Sequence, residues 1–481
     1  MLKNNKIDIA LILILLTVSI VHIPVILNDF HTDDYMVLEI LDDGFDRSAF
    51  LSMENPVNFR PLTNIVIFLR YVIFDKNQSL WYLLNICLHL LVVGLLYRFA
   101  RSIADKVTAI AASLFFGLYF QHFEAILWLY GIVRLLAAGF VLMALINHYK
   151  YKVSFNKISL YKSYLFFGLA LFCVEDAIVL SLFFSLDAFI SGRQTKKKLI
   201  SYGIGFFAIA ALYLIIRIIA LDSINPTTEC FYIGAHIIKN IYAYIGWLLV
   251  PQLDHPYIIP FVGKYLPSLI NYIWLVNLSV FLAALAIAWV VIKKGSNKEK
   301  LFLVFIAVML GIAAALDSKV SSKLVYIPSI GLAIIAGSLF IRLLKWLEPK
   351  KTKYLIAIAI VYLFCHSAAI NFTIIKYRHT QEQTNYLIDK LEQLDIDWDR
   401  YDYLLFDNIP GRIRIGFPLG YRFGFTKRLI DISEEVEKKL DIEIEKSKLE
   451  NAGISYIFID FSSGDPVIEK KFGGVPHPTG E

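Results

Sequence analysis

Two adjacent carboxylates, Asp33 and Asp34, stand near the start of a polar, acid-rich stretch, NDFHTDDYMVLEILDDGFDRSAFLSMENPVNFRPL, that runs from Asn28 to Leu62. Arg60 stands near its end. Acids this close to a membrane exit are costly unless they face water, a cation or a partner. Ionisable residues then recur at what reads as the same rim. They are His122 and Glu124 in YFQHFEAILWLYGIVR, Arg134 in the following run, Glu175 and Asp176 in CVED, and Arg217; Lys319, Lys323 and Tyr326 follow in DSKVSSKLVYIPS. Carboxylates and cations at one membrane depth suit a reaction between a phosphate-linked lipid and a polar acceptor. Cations would hold the anionic phosphate and stabilise it as it leaves, and a carboxylate would take the acceptor's proton. Two acids, Asp34 and Glu175, would alternatively bind a divalent ion, Mg or Mn, that performs the cation's task.

Each residue also has a plainer reading. Glu124, Glu175 and Asp176 would equally serve to keep tight turns in water, Lys319 and Lys323 as loop lysines, and His122 as a turn histidine. Arg217 would snorkel to the interface. Arg134 resists this treatment, because an arginine two to three turns into an apolar helix is expensive and pairs inside a bundle; Glu124 or Glu175 would be its partner. Trp128, Tyr130, Trp247 and Tyr257, near the ends of apolar runs, read as interfacial belt residues.

The elements that must position these groups are membrane helices. Hydrophobic residues make up 57% of the 481 and charged residues 18%, the balance of an all-α polytopic membrane protein. The net charge of +6 does not point to nucleic acid, because the basic residues sit in short loops between apolar runs. Cys87, Cys173, Cys230 and Cys365 show no metal or redox spacing. Runs that can cross a bilayer fall at 8–27, 79–97, 107–121, 125–146, 162–174, 177–191, 199–220, 270–292, 300–316, 325–343 and 354–371, about eleven spans. Lysines and arginines crowd alternate loops, which predicts a cytoplasmic amino terminus and an outward-facing acid-rich loop. The first run has no small-residue cleavage site after it and reads as a retained span. Counting 61–75 or 236–250 as a crossing would invert every later loop, so both are expected as juxtamembrane helices on the outer face. From about residue 371 the chain turns charged, with strand-like runs at 402–406 and 454–460 and a helix-like run at 432–448. A membrane domain over 1–371 and a small outer soluble α/β domain over 372–481 are predicted.

Several stretches then resemble one family. HTDDY at 31–35 resembles the first outer loop of the GT-C superfamily of integral-membrane glycosyltransferases. NFRPLTNIVIFLRYVIFD with LWYLLNICLHLLV, WLYGIVRLLAAGFVLMAL, LFCVEDAIVLSLFFSLDAF and KLVYIPSIGLAIIAG are similar to stretches of the protein O-mannosyltransferases that normally carry tetratricopeptide repeats. The resemblance implies inverting sugar transfer from a polyprenyl-phosphate donor to a protein, lipid or polysaccharide acceptor on the outer face. It makes Asp33 or Asp34 the catalytic base or acceptor-binding acid, Glu124 and Glu175 acidic site residues, and Arg60, Arg134 and Lys323 phosphate or site-ordering cations. The chain departs from that pattern at Val174, where the relatives have a lysine, and at Lys323 with Tyr326; the repeats are replaced by the short tail. The rival is a transporter or flippase of lipid-linked or anionic solutes, which would need polar residues in the cytoplasmic half as well. The short loops lean towards a bacterial inner membrane.

Overall fold

The computed structural model describes residues 8–30, 33–53, 58–190, 196–221, 234–250, 263, 266–315, 320–392, 403–407, 456–460 and 467–471, with Asp33 described by its backbone only. The helices are α1 (Ile9–His22), α2 (Asp33–Asp42), α3 (Arg47–Ser52), α4 (Pro61–Phe74), α5 (Gln78–Ile103) and α6 (Lys106–Gly117). They continue as α7 (Phe123–Leu127), α8 (Ile132–Ser154), α9 (Lys157–Leu171), α10 (Leu180–Ile190), α11 (Lys196–Leu221) and α12 (His236–Trp247). The series closes with α13 (Ile273–Lys294), α14 (Asn297–Ala315), α15 (Pro328–Trp346) and α16 (Pro349–Glu392). Their starts follow local chemistry. The side chains of Asp8, Asn77, Asp105 and Asn156 accept from backbone N–H groups of the first turns of α1, α5, α6 and α9, groups that no helical carbonyl can reach. Pro61 and Pro328 open α4 and α15, where a missing N–H costs nothing.

Among the described residues seven helical segments are long and apolar enough to cross a membrane, and eight if the bent pair Lys106–Gly117 and Phe120–Leu127 is one span. The protein is therefore an integral membrane protein. Three further expected runs, 162–174, 177–191 and 300–316, correspond to α9, α10 and α14, of 15, 11 and 19 residues. The segments expected to lie outside the spans form α4 and α12, of 14 and 12 residues; at 1.5 Å per residue neither reaches across about 30 Å of hydrocarbon.

The chain divides into two compact units, one of residues 1–27 and 40–374, the other of residues 28–39 and 375–481. The expected boundary at 371/372 falls inside α16. In the first unit α5 packs on α6 and α8, α6 on α15, α8 on α9, and α14 on α15. The contact of α15 with α6 is backbone-close, since a Cβ on Gly337 would lie 2.8 Å from the Thr108 carbonyl oxygen. Such approach is how helices gain packing energy where the solvent is itself apolar.

In the second unit Asp29 and Gln381 exchange two hydrogen bonds, the Asp29 N–H to Gln381 Oε1 at 2.9 Å and Gln381 Nε2 to the Asp29 carbonyl at 2.5 Å. Strands β1 (Tyr403–Asp407), β2 (Tyr456–Asp460) and β3 (Val467–Lys471) form a sheet in that order, β1 parallel and β3 antiparallel to β2. Two of them match the predicted strand-like runs. The helix-like run at 432–448 lies outside the described residues.

Candidate active site

The two ends of the first unit are built differently. At one end helices begin and finish on basic residues held by single carboxylates: Lys106 on Asp8, which also accepts from the Tyr97 hydroxyl, Arg342 on Glu299, and Lys152 on Asp187. At the opposite end helices break. Short 3₁₀ turns occur there at Phe120–His122, Leu129–Gly131, Glu175–Val179 and Ser322–Val325. Gly131 permits one break, since a Cβ there would stand 2.4 Å from the Ala125 carbonyl oxygen.

Irregular backbone at membrane depth survives only where protein satisfies its freed polar groups. Here side chains do so. Asn85 Nδ2 donates to the carbonyls of Ile126 and Trp128 at 3.1 and 3.0 Å. Buried Arg70 donates to those of Leu129 and Trp81 at 3.4 and 2.6 Å, and the Phe120 N–H donates to His366 Nδ1 at 3.0 Å. Helix α4 supports a second break: the Thr63 hydroxyl donates to the Cys173 carbonyl at 3.2 Å and the Leu62 N–H to that of Phe172 at 3.2 Å. Its polar residues Thr63, Asn64 and Arg70 are buried, whereas Leu69, Val72 and Ile73 are exposed.

These breaks carry three carboxylates, each facing donors from another element. Glu175 accepts from the Phe59 N–H at 2.6 Å through Oε1 and from Arg60 Nε at 2.9 Å through Oε2. Asp176 forms an ion pair with Arg134, both side chains nearly buried. Glu124 accepts through Oε2 from the Ser321 hydroxyl at 2.7 Å and the Lys323 N–H at 2.9 Å. Aromatic rings line the cations. The Arg60 guanidinium lies 5.8 Å from the Tyr130 ring centre, and the Lys323 ammonium 3.5 Å from that of Trp128, the geometry of cation–π attraction. Tyr213 donates to the Phe59 carbonyl at 3.2 Å, and the Ser321 N–H donates to the Tyr244 hydroxyl at 3.4 Å. Two polar atoms here, Asp176 Oδ1 and Trp128 Nε1, are buried with no hydrogen-bond partner among the described residues. Buried polar groups are normally paired, so an acceptor and a donor are left without a partner among the described residues.

The placements correct the sequence reading at several points. Arg134 is the third residue of α8, not two to three turns inside a helix, because the run breaks before Ile132; its partner is Asp176 rather than Glu124 or Glu175. Tyr130 and Trp247 are 3% and 7% exposed, so they belong to the interior rather than to a belt. His122 and Tyr326 are fully buried and stand apart from the ion pairs. His122 Nε2 hydrogen-bonds the Ser329 hydroxyl, and Tyr326 hydrogen-bonds His89 Nδ1, both at 2.7 Å. The rings of His22, His89 and His122 follow one another at 5.1 and 5.6 Å. Arg217 is 6% exposed, which snorkelling does not describe. Lys319 and Tyr257 lie outside the described residues. Asp33 and Asp34 belong to the second unit; Asp34 is fully buried. The sequence missed Arg70, Asn85, Tyr213, Tyr244 and Ser321. An arginine and an asparagine at helical spacing in apolar runs, as Arg70 and Asn85 are, was the available signal.

Among the described residues no group of three or more His, Cys, Asp or Glu side chains is placed to hold a metal. Glu175, one of the two residues considered for a divalent ion, has both oxygens engaged by Arg60 and the Phe59 N–H, a donor environment suited to an anion's counter-charge rather than to a further cation. Glu175 as placed therefore does not fit that ion.

The fold of the chain is one shared with solved structures of two other proteins. It is similar to the oligosaccharyltransferase of Archaeoglobus fulgidus in the apo form, with a TM-score of 0.52 and 11% identity over 91% of this chain and 64% of that one. It is equally similar to ArnT from Cupriavidus metallidurans in the apo state, with a TM-score of 0.51 and 10% identity over 94% and 93% of the two chains. In sequence, 101 residues are 30% identical to the mouse Protein O-mannosyl-transferase TMTC3, covering 21% of this chain and 11% of that protein; the human protein is 28% identical over the same length. No family model matches the sequence.

Proposed function

We propose that this protein is a membrane glycosyltransferase that moves a sugar from a polyprenyl-phosphate carrier to an acceptor at the non-basic end of its bundle. The carrying observation is the set of paired cations and carboxylates on broken helix ends in a fold shared with ArnT and an oligosaccharyltransferase. ArnT has been solved bound to undecaprenyl phosphate, and the oligosaccharyltransferase tethered to an acceptor peptide. The TMTC3 match supports a hydroxyl acceptor.

In this reading Asp33 or Asp34 takes the acceptor's proton as its oxygen attacks the anomeric carbon. The bond from that carbon to the phosphate oxygen breaks, with inversion, and the lipid phosphate departs towards Arg134, Arg217 or Lys323. Glu175 orients Arg60, and Glu124 fixes the Ser321–Lys323 turn. Asp176 Oδ1 and Trp128 Nε1 are the atoms a sugar hydroxyl would satisfy. In this reading the positive-inside pattern puts this end outside the cytoplasm, the short loops favour a bacterial inner membrane, the α/β tail is a soluble outer domain, and there are about eleven spans in all.

Asp33→Asn and Asp34→Asn, assayed separately for transfer from a radiolabelled polyprenyl-phosphate sugar, test the assignment. One of them should lose activity by on the order of 1,000-fold; full activity in both rejects it. The transport reading draws on one observation, the buried His148–Asp187 pair in the basic half. Movement of the lipid-linked sugar across a vesicle membrane with no release of lipid phosphate would favour it.

A further inference from the structure

A cavity lies at the basic end of the first unit. It measures about 340 Å³ and is lined by α5, α8, α10 and α14. Its floor is apolar: Phe99, Leu145, Phe183 and Phe302 are all 3% exposed or less. Its upper wall carries Lys152, Asp187 and Lys298. Asp187 is buried, and both its oxygens accept from Lys152 Nζ at 2.7 Å while one also faces His148. An ammonium has three N–H donors. Pinned in this way, Lys152 holds its charge on the cavity wall with a donor to spare. Lys298, at the start of α14, is anchored by donating to the Ile103 carbonyl at the end of α5. Both lysines line the cavity beside Asp187.

Val153 lines the cavity and is 61% exposed. Phe155 and Ile158, next along the chain, are 51% and 61% exposed, as lipid-facing side chains are. We propose that this cavity takes the head of a phosphate-bearing anionic lipid from the leaflet at the basic end. The phosphate would sit on Lys152 and Lys298, and the first carbons of a tail on the phenylalanine floor. The volume admits a head and a few methylenes, and the rest of the chain would run along the exposed Val153–Ile158 surface. A soluble phosphate gains nothing from an apolar floor, and a choline head would meet two ammonium groups.

The test uses the full-length protein, stripped of lipid in detergent, with bound lipid counted by native mass spectrometry as dioleoyl phosphatidylglycerol or dioleoyl phosphatidylcholine is added. Phosphatidylglycerol should bind about tenfold more tightly, and Lys152→Gln and Lys298→Gln should each weaken it about five-fold. Val153→Trp, which fills the mouth from an exposed position without touching the ion pairs, should do the same with an unchanged lipid-free melting temperature. Lys345→Gln, an exposed lysine at the same end, should have no effect and separates the site from general surface charge. Equal binding of the two lipids, no loss in any of the three cavity variants, an equal loss in Lys345→Gln, or displacement of phosphatidylglycerol by millimolar inorganic phosphate overturns the proposal.

Discussion

The two ends of the first unit use the same residue types to opposite purposes. At the basic end carboxylates are staples. Asp8 joins α1 to α5 and α6, and Glu299 joins the start of α14 to Ser338 and Arg342 of α15. The lysines and arginines left over face outwards, as a leaflet with anionic lipid favours. At the opposite end each carboxylate sits on a helix break and orders a cation or a loop borrowed from elsewhere in the chain: Arg60 is 115 residues from Glu175, and Lys323 is 199 from Glu124. A staple needs two intact helix ends. A site needs helix ends that have come apart, because only freed backbone and short turns bring groups this distant in sequence to one place.

The comparison can be broken by mutation. The largest stability effect is expected at Arg134→Ala, which leaves Asp176 buried and unpaired, at about 3 kcal/mol; the fall in melting temperature checks it. Asp176→Asn keeps an acceptor for Arg134 and should cost less stability, yet still lower transfer. Glu175→Gln should leave the fold in place and reduce transfer on the order of 100-fold, because Arg60 loses the partner that aims it. If melting rather than turnover responds, Glu175 is a staple and the distinction between the ends fails. Glu299→Gln is the reverse case. Burial pushes this carboxyl up, but hydrogen bonds from Ser338, the Ser296 N–H and Arg342 outweigh that and hold it below its usual value. The variant should cost about 1–2 kcal/mol and leave transfer unchanged.

The smallest effect is one of pH. Hydrogen bonds from Lys106 and Tyr97 lower Asp8 from 3.8 to about 2. A carboxyl depressed on folding stabilises above its unfolded pKa and loses that contribution as pH falls through its folded one. The join of α1 to α5 and α6 should therefore loosen between pH 3.8 and about 2, seen as faster hydrogen exchange in α1. Asp8→Asn should abolish that dependence.

Much was readable without coordinates, for a definite reason. Apolar runs, alternate basic loops, and strand-like runs near 402–406 and 454–460 are local or periodic properties. A bilayer or a backbone responds to them one segment at a time. They determined that the chain is an all-helical membrane protein with a tail of different character, and they flagged Glu124, Arg134, Glu175 and Asp176 as candidates. Only the tertiary structure decided who pairs with whom. It gave Arg134 to Asp176 and Arg60 to Glu175, drew Tyr130 and Trp247 inside, moved His122 and Tyr326 into a buried histidine–aromatic chain, and set Arg70 and Asn85 to cap broken backbone. Those choices turn on where helices stop and on contacts spanning tens to hundreds of residues, and no local pattern carries that information.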